Sequence, residues 1–410
     1  MTERLYYADA MARAFDATVT RVEPAPGGAR VTLDRTAFYP TSGGQPFDTG
    51  RIGAARVVDV VDEDSEDGGE VWHVVDAPIA AGAVVSAEID WPRRFDHMQQ
   101  HTGQHVLSAA FDRSAGVPTV SFHLGAETAT IDLAREVTTA QIERAEAEAN
   151  AVVFADRAVA IRYASEEEAA RLPLRKEPAR RGRLRLIEIP DWDLSACGGT
   201  HVPRTGMIGL IAVSAWERFK GATRVAFVCG ERARRTHGRL RDVVLAATRT
   251  LSVSAADVAP AIERVLAERK DAARAVVRLQ EEVAGARAVR MRAEAQTAGG
   301  RRFVLSAVTG WYPTALRTLA TVIVSEPGFV VVLVGDGQPV PVVVARSADV
   351  DLDAGGWLKR ATSVLGGKGG GRPDLAQGGV TASSDAVITF ASELLVNEAM
   401  GPFDVAQGRQ

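Results

Sequence analysis

Two pairs of residues four positions apart constrain this chain most: His101 and His105 in His-Thr-Gly-Gln-His, and Cys197 and His201 in Cys-Gly-Gly-Thr-His. Imidazole nitrogen and cysteine thiolate are favoured zinc donors. The 410 residues contain only seven histidines and two cysteines, and four of those nine stand in these pairs. A fold that uses all four must bring residues a hundred positions apart into one metal site within a single domain. The plainer alternative makes His101 and His105 a polar helix face and Cys197 a small buried hydrophobe.

The segment Arg94–Phe111 reads as a helix, on which residues i and i+4 lie on one face with β-carbons about 6 Å apart. Two imidazoles can then converge on one ion with bonds of about 2 Å. Glycines between Cys197 and His201 place the second pair in a tight loop after a strand, Leu184–Ile189.

Composition narrows the class. With 46% hydrophobic and 24% charged residues and no long apolar run, the chain reads as an ordinary soluble protein. Met1-Thr-Glu-Arg-Leu-Tyr-Tyr7 lacks the charged head and apolar stretch of a signal peptide. Two cysteines argue for a reducing compartment, hence a cytoplasmic location, rather than a disulfide framework. At a net charge of −4, a polyanion would have to be held by local patches, for which the runs Arg175–Arg185 and Arg232–Arg241 are candidates. A solvated strand edge and a solvated helix face explain the same runs.

Four regions follow along the chain. Residues 1–90 read as β structure, with alternating runs Ala17–Val22, Ala29–Leu33 and Val71–Val75 and an acidic turn at Asp62–Gly69. Residues 91–245 alternate helices and strands, including a hairpin around Phe122–Leu133 and a helix from about Thr138, its N-cap, to Ala155. Residues 252–298 form a long amphipathic helix or helical hairpin, either a dimer seam or a helix packed on its own chain. Residues 300–410 return to α/β, with buried strands Phe303–Val308, Phe329–Val334 and Val340–Ala345. The glycine-rich run Gly366–Gly379 is no P-loop, because Gly369 follows Lys368. It reads as a surface loop, or as an anion or RNA site built on Lys368, Arg372 and exposed backbone N–H groups. The class is α+β.

The two pairs, His-x-x-x-His and Cys-x-Gly-x-His, resemble the editing domain of alanyl-tRNA synthetase and its free-standing relatives, the AlaX proteins. So do Asp34–Gly50, containing Thr-Ala-Phe-Tyr-Pro and Ser-Gly-Gly-Gln, and the segments Cys197–Gly209 and Lys220–Gly230. The glycine-rich tail is similar to the C-terminal domain that these synthetases share with DHH-type phosphoesterases. Ordered matches run from residue 34 to about 379. No class II aminoacylation core is expected, so the resemblance is to the long form of AlaX. Asp96-His97 is followed by Met98, so the Asp-His-His phosphoesterase motif is missing.

The resemblance implies a β-barrel-like subdomain at 1–90, a zinc-binding catalytic domain at 91–245, a helical linker at 252–298 and a DHH-associated domain at 300–410. It implies a Zn2+ site of His101, His105, Cys197 and His201, and hydrolysis of serine, and secondarily glycine, from mischarged alanine tRNA. Thr36 is the expected contact to the serine hydroxyl. Gly43, Gly44 and Gln45 are expected near the terminal ribose, and Lys220, Arg224, Lys368 and Arg372 along the tRNA. Four protein ligands describe a closed site, whereas catalytic zinc keeps a position open; His201 is the expected weaker ligand. Gln104 cannot act as a base, which leaves His123 and Glu127 as titratable groups on a neighbouring hairpin. A homodimer through the helical segment and tail is expected, and no membrane. Two rival functions stand beside this one: an RNA-binding protein with structural zinc, and a deacylase of other mischarged tRNAs.

Overall fold

Six antiparallel strands close into a barrel at the N-terminus of the computed structural model, which describes residues 2–63, 69–176 and 182–400, the last seven by backbone alone. Residues 64–68 of the acidic turn, 177–181 of the basic run 175–185, and 401–410 lie outside the described residues. Contacts divide the chain into two units, Met1–Ala246 and Ala247–Gln410.

Around the barrel the order is Ala14–Ala25, Gly28–Leu33, Glu70–Val75, Ala55–Glu63, Gly50–Ile52 and Val84–Ile89, which pairs back onto the first strand. Alternate residues such as Ala29, Val31 and Leu33, or Val71 and Val75, fill the interior together with Phe38, Ile52 and Ile89. Thr36 lies in a short parallel pair, Glu3–Arg4 with Arg35–Thr36.

The barrel is tied to the helix that carries the histidines, α1 (Trp91–Ala115), by a fully buried ion pair between Arg94 and Asp48. The Arg94 guanidinium also donates to the carbonyls of Ala10 and Ala37, while Asp48 accepts from the Tyr39 amide at 2.6 Å. Removing one member leaves the other charge buried and unpaired, which costs about 3–5 kcal/mol. Arg94→Leu is therefore expected to lower the unfolding free energy of the first unit by that amount in urea titrations. A change below about 1 kcal/mol, typical of a surface pair, would contradict this account.

Asp90 caps α1 at its start and Gly116, at φ 60°, ends it. The helix is buried nearly all round from His97 to Phe111, so its polar residues are enclosed rather than set on a solvent face. Around it pack α2 (Thr139–Phe154), capped by Thr138 through a capping box with Gln141, and a four-stranded antiparallel sheet. That sheet runs Ile211–Phe219, Ala222–Cys229, Ala129–Leu133, Thr119–Leu124. Gly103 makes the approach possible: a β-carbon there would collide with Cys229 Sγ. A three-stranded sheet of Ala160–Ala164, Leu184–Ile189 and Asp193–Ala196 completes the domain with α3 (Glu166–Ala169). The helix α4 (Gly230–Leu251) follows, and its first turn sends Arg232 to Asp96 on α1 at 2.6 Å. That member of the basic run 232–241 is thus buried and paired rather than offered to solvent.

In the second unit, α5 (Val258–Ala293) is one continuous helix with Pro260 in its first turn. Ala284, Ala288 and Met291 near its end pack against α6 (Pro313–Ile323) and one face of a six-stranded sheet, while Leu266, Leu279 and Val283 stay exposed on this chain. The sheet order is Gln296–Ala298, Arg301–Ala307, Phe329–Val334, Val340–Arg346, Leu375–Val380, Gly367–Gly371. The other face is covered by α7 (Ala354–Leu365) and α8 (Ser384–Met400). Val330, Val332 and Val334 point to that face, Val331 and Leu333 to the opposite one, which is why Phe329–Val334 is apolar throughout.

One expectation needs correction. The glycine-rich run is not a loop but an edge hairpin, Gly367–Gly371 paired with Leu375–Val380. Its glycines serve packing: a β-carbon on Gly369 would meet Leu358 of α7 at 2.8 Å and Gly378 of the facing strand at 2.9 Å.

Candidate metal centre

His101 and His105 project from adjacent turns of α1, and the strand Asp193–Ala196 delivers Cys197 and then His201 to the same place. One donor atom from each of the four lies within 4.8 Å of all the others. Cys197 Sγ stands 3.4 Å from His101 Nε2 and 3.4 Å from His201 Nε2. Those separations match the roughly 3.5 Å edge of a tetrahedron with zinc-like bonds to sulfur and nitrogen. The second motif's glycine has a steric reason here, since a β-carbon on Gly199 would collide with the ring of His101.

Each histidine is held by its other nitrogen. His101 Nδ1 donates to Gln45 Oε1 at 2.9 Å, and that oxygen also accepts from the Thr200 amide, which fixes the orientation of the Gln45 amide group. His105 Nδ1 donates to Asp193 at 2.9 Å, and Asp193 is itself gripped by Arg175 at 2.6 Å. Thr102 gives its hydroxyl proton to the Met98 carbonyl, so it can only accept from His201 Nδ1, at 3.2 Å. All three rings therefore turn Nε2 toward the centre, the arrangement that metal-binding histidines require. The four residues fit a metal ion.

Electrostatics agree. Burial would raise the Cys197 thiol, but His101 and His201 hold it well below its usual value, toward the ligating thiolate. Burial would also raise Asp193, yet His105 and Arg175 hold it down at about 2. Burial works against protonating His105, but its bonds to Asp193 and Cys197 carry it up to about 9. Burial, helped by His101, holds His201 at about 3 against the pull of Cys197.

A sign follows for metal uptake. A raised histidine keeps its proton up to its folded-state pKa, so below pH about 9 a metal must displace that proton from His105. Affinity is expected to strengthen about tenfold per pH unit toward that value. Asp193→Asn takes away the carboxylate, so the slope flattens and affinity near pH 9 falls by about 10–100-fold. Chelator-competition titrations at several pH values check both; an unchanged slope would remove Asp193 from this role.

The other expected residues are distributed as follows. Thr36 is fully buried, and its hydroxyl lies 2.8 Å from His73 Nε2 and 3.1 Å from the Phe38 amide. Gly43 and Gly44 form a tight turn at φ 54° and 81°, against Phe122, whose ring centroid is 5.7 Å from that of His101. Gln45 lies behind the cluster, bonded to His101 and Thr200. His123 and Glu127 are exposed, and strand alternation turns His123 to the side opposite Phe122. Lys220 is exposed at a hairpin end, and Arg224 pairs with Asp132 at 2.6 Å. In the second unit, Lys368 is exposed on the edge strand and Arg372 pairs with Asp374 at 3.0 Å. The supporting roles of Asp193, Thr102 and Phe122 carry no signal in the sequence; nothing there separates Asp193 from Asp191, which is exposed two positions earlier.

Known proteins place the chain. Residues 184–226 match the Threonyl and Alanyl tRNA synthetase second additional domain, and residues 300–397 the DHHA1 domain. Over 404 residues the chain is 31% identical to the alanyl-tRNA editing protein AlaX-L of Pyrococcus horikoshii, covering 96% of this chain and 98% of that one. The chain belongs to the AlaX-L family of alanyl-tRNA editing proteins. It is also 33% identical to the alanine–tRNA ligase of Pyrococcus abyssi over 94% of its own length, but spans only 42% of that enzyme. A solved C-Ala domain of Aquifex aeolicus alanyl-tRNA synthetase is 25% identical over 25% of this chain and 98% of that one, with a TM-score of 0.24. In this AlaX-L family member the first matched segment contains Cys197, His201 and Arg224, and the second contains Lys368 and Arg372. Among the described residues no helix is long and apolar enough to cross a membrane.

Proposed function

We propose that the chain hydrolyses the ester joining serine, and secondarily glycine, to the 3′ end of alanine tRNA, with zinc held by His101, His105, Cys197 and His201. One observation carries this: four donors of zinc type converge within 4.8 Å in a chain that aligns from end to end with AlaX-L. Bound zinc supplies polarisation of an ester carbonyl or a lowered pKa for water.

The chain's own groups divide the remaining work. A synthetic pocket for alanine cannot strongly reject an isostere with an added hydroxyl, so a second site must read that hydroxyl directly. Thr36 is the proposed reader. His73 Nδ1 faces the Val31 carbonyl at 3.2 Å and so carries the proton; burial keeps the ring neutral by pulling it down to about 4. His73 Nε2 therefore accepts the Thr36 proton, the Phe38 amide takes one lone pair, and a second lone pair is left for a serine O–H. The turn at Gly43 and Gly44 presents backbone N–H groups for the ribose. His201 is the proposed weaker ligand, supported by its neutral hydroxyl partner at 3.2 Å against the carboxylate behind His105.

A panel of mischarged tRNAs tests the proposal. Turnover of Ser-tRNA(Ala) with Ala-tRNA(Ala) spared is the expected result. Broad turnover would favour a general deacylase, and none at all an RNA-binding protein with structural zinc.

A further inference from the structure

Arg113, Arg144 and Arg157 gather at a depression of about 590 Å³ in the first unit, with Trp192 and Glu148 in its wall. They come from separate places: the last turn of α1, the middle of α2, and the chain just beyond α2. Arg144 is matched by Glu148 at 2.9 Å. Arg113 and Arg157 have no ion-pair partner among the described residues. Instead both guanidinium groups lie over the indole of Trp192, 4.9 Å and 6.0 Å from its ring centroid. Trp192 is pinned by its Nε1 donating to the Val106 carbonyl at 3.2 Å, and Arg157 by donating to the Pro190 carbonyl at 3.0 Å. Two cations thus lie against one indole, neither with an ion-pair partner, in a depression whose one lining carboxylate, Glu148, is taken by Arg144; an anion there would supply the missing counter-charge.

The position of this basin gives the anion an identity. Arg113 is eight residues beyond His105 on α1, about 12 Å along the helix axis at 1.5 Å per residue. Trp192 immediately precedes Asp193, which holds His105. A nucleic acid strand that reaches the cluster from the side of the basin would place phosphates within a few nucleotides of Arg113 and Arg157. We propose that this basin binds the sugar-phosphate backbone of the RNA strand next to its aminoacylated end, Arg113 and Arg157 each taking a phosphate. Binding there positions the strand without reading its sequence. The choice of RNA rests on the editing function proposed above; the two unpaired cations do not.

The full-length Arg113→Gln/Arg157→Gln variant tests this by fluorescence anisotropy with an alanine tRNA transcript across a salt series. The expected result is weaker binding to every RNA sequence and a salt slope shallower by roughly 1 to 2. In kinetics, kcat/KM for the seryl ester of tRNA should fall about tenfold relative to that for the seryl ester of adenosine, which has no phosphates, chiefly through KM. An unchanged salt slope would overturn the proposal, as would an equal loss with Arg264→Gln, an exposed arginine on α5. Displacement by inorganic phosphate with tRNA affinity unaltered would overturn it too. If the wild-type chain cleaves no ester, the editing function fails, and the tRNA titration still decides the basin by itself.

Discussion

Replacing Cys197 by alanine and adding a chelator is expected to reduce ester hydrolysis to the uncatalysed rate while the first unit stays folded. The thiolate is the soft donor of the cluster, two imidazole nitrogens stand 3.4 Å from it, and they hold it ready to ligate. Without it three histidines remain, a set that still binds zinc, so the ion is held more weakly and is removed by a chelator. The fold does not depend on that loss, because the barrel interior and the packing around α1 are continuous apolar clusters that do not pass through the four donors. Magnitudes make the outcome decisive. Structural zinc in small metal-dependent domains carries about 10–16 kcal/mol of folding free energy. That is comparable to the whole stability of a typical domain, about 5–15 kcal/mol. Were the ion structural, its removal from Cys197→Ala would unfold the unit outright. Zinc content, urea midpoint and deacylation rate of one chelator-treated preparation separate the cases: folded, metal-poor and inactive supports catalysis, and a collapsed midpoint refutes it.

Thr36→Val should erase most of the discrimination between serine and alanine esters, which for a hydroxyl-reading site can reach about 10⁴–10⁵-fold. Valine keeps the shape but removes the lone pair assigned to the serine hydroxyl. It also strands the Phe38 amide and His73 Nε2 in a buried place, a cost of about 1–3 kcal/mol, so the assay belongs well below the unfolding temperature. Thr36→Ser keeps the hydroxyl and should keep the discrimination, which separates loss of recognition from loss of packing. Equal ratios of Ser-tRNA(Ala) to Ala-tRNA(Ala) hydrolysis in wild type and Thr36→Val would end the assignment.

What could be seen before the fold was known was local. The i,i+4 spacing of His101 and His105 carries its own geometry once the segment is a helix. The apolar runs 329–334 and 340–345 coincide with strands because burial on both faces needs apolar residues at every position. The glycine-rich run misled because glycine signals backbone freedom in a loop as readily as close approach in a hairpin, and only the neighbouring Leu358 tells which.

By itself, then, the sequence determined the donor types, their spacing and the elements that carry them, since these depend on residues within a few positions of one another. Tertiary structure decided what stands behind the donors. Gln45 reaches His101 across 56 positions, Asp193 reaches His105 across 88, and Arg113 and Arg157 meet only over Trp192. Such contacts depend on strand register and on how the barrel docks against α1 through Arg94 and Asp48. Those are sums of many weak nonlocal terms, and no short window of residues contains them.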